Sequence, residues 1–201
     1  MRDVEIFRQA MHPDWLGPIC HGALSQFLAA EAGLIDCGRI YDDIWPLNIS
    51  GLYFSDITLP DVVTDRLDAL YQDGWEINTR LMLYTLRAPY YGQWHRDAPP
   101  YEQDRIVLLC VAGHDELEYA YQPRPGRYYI ADLHAGDIML MPAATWHRGC
   151  CRSQRITYHC RVGQKGKILP ESPMDKLPPM TMRRFFGRTW RTLRYYANRL
   201  G

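Results

Sequence analysis

The sequence predicts a mainly β chain of the α+β type, with helices in its first third and a β-sandwich or barrel after them. Three observations carry this. Up to residue 74, apolar residues recur at helical spacing. After Trp75 the chain breaks into about eight short runs rich in β-branched and aromatic residues, punctuated by Gly, Pro and Asp. With 201 residues, 47% of them apolar, the chain has enough material for the core of one domain.

The elements follow in order. CHGALSQFLAAEAGL (20–34) places Leu24, Phe27, Leu28 and, less regularly, Leu34 near one helical face. PDVVTDRLDALYQDG (60–74) starts with Pro60, spaces Val63, Leu67, Leu70 and Tyr71 as one stripe, and stops at Gly74. The predicted strands include RLMLYTLRA, RIVLLCVAG, ELEYAYQ, GRYYIADLH, GDIMLMP and RITYHCRVG. Turn signals at Pro123–Gly126 and Ala135-Gly136-Asp137 fall between them. In the last strand Arg155, Thr157, His159 and Arg161 share one face, and Ile156, Tyr158, Cys160 and Val162 the other. One face therefore lines a polar cavity or water while the other packs.

Charge divides the chain. The 23 Lys+Arg and 23 Asp+Glu cancel. However, residues 176–201 hold seven basic and no acidic residues, so the formal charge is −7 before them and +7 within them. The segment 168–180, with four Pro, reads as an extended linker. No apolar stretch reaches the roughly 18 residues of a membrane-spanning helix. The N-terminus lacks the apolar core of a secretory signal. Six Cys without a CxxC then read as reduced thiols of a cytoplasmic protein rather than as a zinc ribbon.

The chemistry centres on YYGQWHRDAPP, where His95 and Asp97 lie two apart on an extended chain and face one way. An acid also follows two residues after His12 and His114, so the pair alone is weakly specific. The His114 match falls at the predicted turn after RIVLLCVAG, and only His95 follows a strand through a Gly-containing approach. GDIMLMPAATWHRG then supplies His147, and Arg155 opens the last strand eight residues later.

This order of His-x-Asp, distal His and Arg resembles the Fe(II)/2-oxoglutarate-dependent oxygenases, over roughly residues 80–163. It is closest to the prolyl-hydroxylase-like and phytanoyl-hydroxylase-like branches. The resemblance implies a double-stranded β-helix jelly roll with N-terminal helices packed outside. It implies a hydroxylase using Fe(II), 2-oxoglutarate and O₂. The metal triad maps to His95, Asp97 and His147. Arg155 with Thr157 maps to the anchor for the distal carboxylate of 2-oxoglutarate, with Arg152 and Arg161 as nearby alternatives. Tyr84 on the preceding strand is a further candidate for contact with the 2-oxo acid. The residue types suit this chemistry. Two imidazoles and a carboxylate on one octahedral face leave three positions open, and a guanidinium fork meets a carboxylate bidentately.

One departure is GHDELEY, which replaces the usual apolar-Gly-Gly-Glu turn over the site. Trp94 and Trp146 read as packing residues, Arg96 and Arg148 as pointing away from the metal, and Cys150 and Cys151 as packing thiols. The Gly136…Pro142…His147 spacing also resembles the second motif of the cupins. The alternative is thus a cupin-type metalloenzyme or ligand-binding jelly roll that does not use 2-oxoglutarate. Of the two, His-x-Asp favours the oxygenase. The substrate class spans small-molecule, lipid and peptidyl candidates.

The expected domains are a jelly-roll oxygenase domain over 1–167 (helical over 1–74, β core over 75–163), the linker 168–180 and a basic amphipathic tail helix 181–201. In the tail, Phe186, Trp190, Leu193, Ala197 and Leu200 form one apolar stripe, with six Arg off it. Such a helix suits docking on the acidic body, or an anionic membrane surface reached peripherally. Nucleic-acid phosphates rank behind both.

Overall fold

Ten strands and two helices make up the described residues. In chain order they are β1 (Glu5–Phe7), α1 (Pro13–Glu31), β2 (Arg39–Tyr41), β3 (Ile49–Tyr53), α2 (Asp61–Leu70), β4 (Trp75–Thr85), β5 (Tyr90–Tyr91), β6 (Arg105–Ala120), β7 (Tyr129–His134), β8 (Ile138–Pro142), β9 (Trp146–Cys151) and β10 (Arg155–Gln164). The computed structural model describes residues 4–31, 39–41, 49–53, 58–85, 90–91, 94–96, 104–122, 127–151 and 155–167. Asp97, Arg152, the linker 168–180 and the tail 181–201 lie outside the described residues.

The fold is mainly β. Seven strands run in the order β1-β8-β6-β10-β4-β3-β2, each antiparallel to its neighbours. β6 belongs to two layers. Arg105–Leu109 pairs with β8 and Arg105–Gly113 with β10, whereas His114–Tyr119 pairs with β7 and Leu117–Ala120 with β9. β5 extends this second layer beyond β9.

Gly113 takes a positive φ of +76° where β6 changes partners, a backbone state that glycine enters without steric cost. The register against β10 also slips there, with Cys110 opposite Thr157 and Ala112 opposite Ile156. Val111 is thus an extra residue, a bulge that reverses which side chains face inward.

Two apolar clusters lie on opposite sides of β6. α2 buries Val63 and Leu67 against Val107, Leu109, Ile138, Leu140, Tyr158 and Cys160. This uses the predicted stripe of α2 and the predicted apolar face of β10. On the other side Ile106, Leu108, Cys110, Met139 and Met141 meet Leu117, Ala131 and Leu133 of the second layer. Burying such side chains stabilises the fold by about 1.5–3 kcal/mol each.

Three differences from the sequence reading have physical causes. The first 74 residues are not only helical, because β1, β2 and β3 join the large sheet. α1 starts at Pro13 and continues through Pro18, ahead of the predicted start at Cys20. Pro18 forfeits one backbone hydrogen bond near the start of a long helix, which the helix outlasts. RIVLLCVAG and ELEYAYQ are one strand, since Gly113 absorbs the bend that otherwise reads as a turn.

Asp137 fixes the end of this sheet. It is 3% exposed. It accepts hydrogen bonds from the Gln9 N–H (2.9 Å), the His134 N–H (3.1 Å) and Arg8 Nη1 (2.6 Å). Burial pushes its carboxyl up, but the Gln9 and His134 N–H groups and Arg8 outweigh this and hold it below the usual carboxylate range. Its stabilisation is therefore complete above the unfolded pKa of about 3.9 and is lost as pH falls through the lower folded value. Asp137→Asn is expected to cost about 1–3 kcal/mol at neutral pH in urea unfolding. Its deficit against the parent protein should shrink below about pH 4.

Candidate active site

His147 lies on β9 with its side chain 2% exposed in the inner layer. Cross-strand pairing places it opposite Tyr119 of β6 on one side and opposite His95 on the other. His95 and His147 exchange both backbone hydrogen bonds, at 3.0 and 2.8 Å. Directly paired residues share a face, and the two imidazoles meet with centroids 4.3 Å apart and planes 53° apart. Residues separated by 52 positions in sequence are thus brought into one site.

The His147 ring is oriented from behind. Its Nδ1 lies 2.9 Å from the Thr145 carbonyl oxygen. A carbonyl only accepts, so Nδ1 carries the proton and donates it. In the neutral ring this leaves the lone pair on Nε2, the form a metal ligand requires. His95 is exposed, so the pair has one buried and one solvent-facing member.

Arg155 opens β10 at 3% exposure, with Thr157 on the same face at 0%. Sequence reasoning did not anticipate their partner. Asp115, also 0% exposed, forms an ion pair with Arg155 Nη1 and accepts a 3.0 Å hydrogen bond from Thr157 Oγ1. The Val111 bulge makes this possible. It turns Asp115, Leu117 and Tyr119 inward, toward the face that carries Arg155 and His147. Arg161, the alternative anchor, donates to Asp104 at 3.2 Å. Burial raises the Asp104 carboxyl despite Arg161 beside it.

Tyr119 is half-buried and stacks on Tyr129 at 5.3 Å and 22°. Burial, then Tyr121 and Tyr129, push its phenol up, so it stays a neutral donor beside His147. Tyr84 pairs with Ile156 rather than with Arg155 or Thr157; its side chain lies outside the described residues. Trp94 and Trp146 stand in a reciprocal arrangement. Arg148 lies over Trp94 at 4.7 Å and Arg96 over Trp146 at 5.3 Å. Arg148 also pairs with buried Glu118. Glu118 and Arg148 are register partners next to the Tyr119–His147 pair. They therefore belong to the outer face, away from His147. Cys150 is a buried thiol that burial, then Glu118, push up.

No family model matches the chain, and no curated protein matches it. Solved structures are similar to it. One is the non-heme alpha-ketoglutarate-dependent epimerase SnoN from nogalamycin biosynthesis, at TM-score 0.60 and 13% identity over 91% of this chain and 92% of SnoN. A second is OsALKBH1, at TM-score 0.58 and 11% identity over 80% of this chain and 98% of that one. A third is an oxidoreductase of the 2OG-Fe(II) oxygenase family from Burkholderia pseudomallei, at TM-score 0.52 and 15% identity over 80% and 84%. At these identities the likeness is one of fold. Among the described residues, no helix is long and apolar enough to cross a membrane.

Proposed function

We propose that the chain is an Fe(II)/2-oxoglutarate-dependent oxygenase on a double-stranded β-helix jelly roll, built for oxidation of an unactivated C–H bond. Its expected outcome is hydroxylation of a small-molecule, lipid or peptidyl substrate, with O₂ consumed and succinate and CO₂ released. The observation that carries this reading is the His95–His147 pair, with ring centroids 4.3 Å apart and His147 Nδ1 held by the Thr145 carbonyl. A 2-His-1-carboxylate set with open positions is the donor chemistry of non-haem Fe(II) oxygenases, and Asp97 would supply the carboxylate. The similar epimerase SnoN has also been solved in complex with Fe3+ and alpha ketoglutarate, which agrees with this assignment.

The residue types of the set fit the roles required. His95, Asp97 and His147 would hold iron, and Thr145 keeps the His147 donor atom in place. Arg155 would bind the distal carboxylate of 2-oxoglutarate, with Thr157 beside it. Arg155 pairs with Asp115 through Nη1, which also donates to Thr157 Oγ1 at 3.4 Å. Asp115 thus positions the guanidinium, at the cost of competing with an incoming carboxylate. Bound iron with the 2-oxo acid would supply the oxidising power, and the protein orients and shields. The body 1–167 would carry this activity, with the tail 181–201 as a separate peripheral element docking on the body or on an anionic surface.

One observation favours the alternative. Arg155 already has a carboxylate partner in Asp115, as it would in a cupin-type protein that does not use 2-oxoglutarate. Succinate release decides between them. The purified protein with Fe(II), ascorbate and 2-oxoglutarate is expected to release succinate slowly on its own, and faster with a matching substrate from lipid, amino-acid, peptidyl and natural-product panels. Metal binding without any succinate would support the cupin-type reading.

A further inference from the structure

The outer face of the β6–β7 pair carries a second set of ligating residues that the iron reading does not use. His114 stands directly opposite His134, and the next pair on that face is Glu116 opposite Asp132. Cross-strand partners and residues two apart share a face, so these side chains form one block. The His114 and His134 rings stack, with centroids 4.8 Å apart and planes 14° apart. Nε2 of His114 contacts Oδ1 of Asp132. One ligand atom from each of His114, Asp132 and His134 lies within 4.8 Å of the other two.

This block is both accessible and held. The His114 side chain is 34% exposed and that of Asp132 54%, so an ion reaches them from solvent. The backbone beneath is fixed by Arg8, which donates to the Asp132 carbonyl at 2.6 Å, and by Asp137, which accepts the His134 N–H at 3.1 Å.

We propose that His114, Asp132 and His134 form a second divalent-metal site, distinct from His95 and His147 and placed on the opposite face of the sheet. Two imidazoles and a carboxylate suit a borderline transition-metal ion of the zinc class, with water completing the coordination. The neighbouring buried group of Glu116, Glu118 and Cys150 is the poorer candidate. Metal ligation needs a thiolate, burial favours the thiol at Cys150, and the Arg148 cation is already paired with Glu118. In sequence the site unites the His114 that shows an acid two residues on with the reversed spacing Asp132-x-His134.

Equilibrium dialysis of the full-length protein against Zn(II) tests the site. The parent protein is expected to retain two equivalents. His134→Ala and His114→Ala should each retain one, with Asp132→Asn weakening the same equivalent. His95→Ala should lose the other equivalent only. All of these surface variants should keep the parent circular-dichroism spectrum. Two equivalents retained in both His114→Ala and His134→Ala would overturn the proposal. So would a single parental equivalent abolished by His95→Ala alone. A single parental equivalent lost in His134→Ala but kept in His95→Ala would support this site and count instead against iron binding at His95.

Discussion

Asp115→Ala is expected to destabilise the protein by about 3–5 kcal/mol, the usual cost of leaving a buried partner uncompensated. Arg155 is 3% exposed and Thr157 0%, so neither side chain turns to water when the carboxylate is removed. Thr157 Oγ1 loses its 3.0 Å acceptor as well. Asp115→Asn should be milder, since the amide oxygen still accepts from both groups while the charge is lost. The combined replacement Asp115→Leu, Arg155→Met and Thr157→Val should recover most of the stability, because a buried ion pair often contributes no more than well-packed apolar groups. That variant should still fail to bind 2-oxoglutarate. Urea unfolding and co-substrate binding on the same set separate the two roles. If Asp115→Ala unfolds like the parent, the buried pair is not a structural anchor.

His147→Ala is expected to remove iron binding and turnover together. Losing only a group that orients a ligand typically lowers metal affinity about 10–100-fold, and losing the ligand itself should exceed that. The change also empties a well-packed site beside Tyr119, so His147→Gln, close in size, is the more informative variant. It should fold as the parent does and still release no succinate. Parental turnover in His147→Gln would exclude His147 from the site.

Much of this arrangement is legible in the chain. The alternation in RITYHCRVG predicts which side of β10 packs, and Ile156, Tyr158, Cys160 and Val162 are all in the core under α2. The stripe Val63 and Leu67 likewise marks the face of α2 that is buried. Order and spacing single out His95 and His147, and pairing brings them face to face. Asp115 is not legible. A period-two reading of β6 that starts at Ile106 sends it outward, and one extra residue at Val111 reverses the phase. Gly113 is the available signal, and in the sequence it reads as a turn rather than a bend. The pairing of His114 with His134 is hidden for the same reason, since residues in a supposed turn have no cross-strand partner.

The central claim is that His95, Asp97 and His147 hold iron so that 2-oxoglutarate can chelate it. Anaerobic titration of the protein with Fe(II) and then 2-oxoglutarate tests it most directly. The predicted result is a visible charge-transfer band that saturates with one equivalent of each, and is lost in His95→Ala and His147→Gln but kept in His134→Ala. No band in the parent protein, or the same band in His95→Ala, would contradict it.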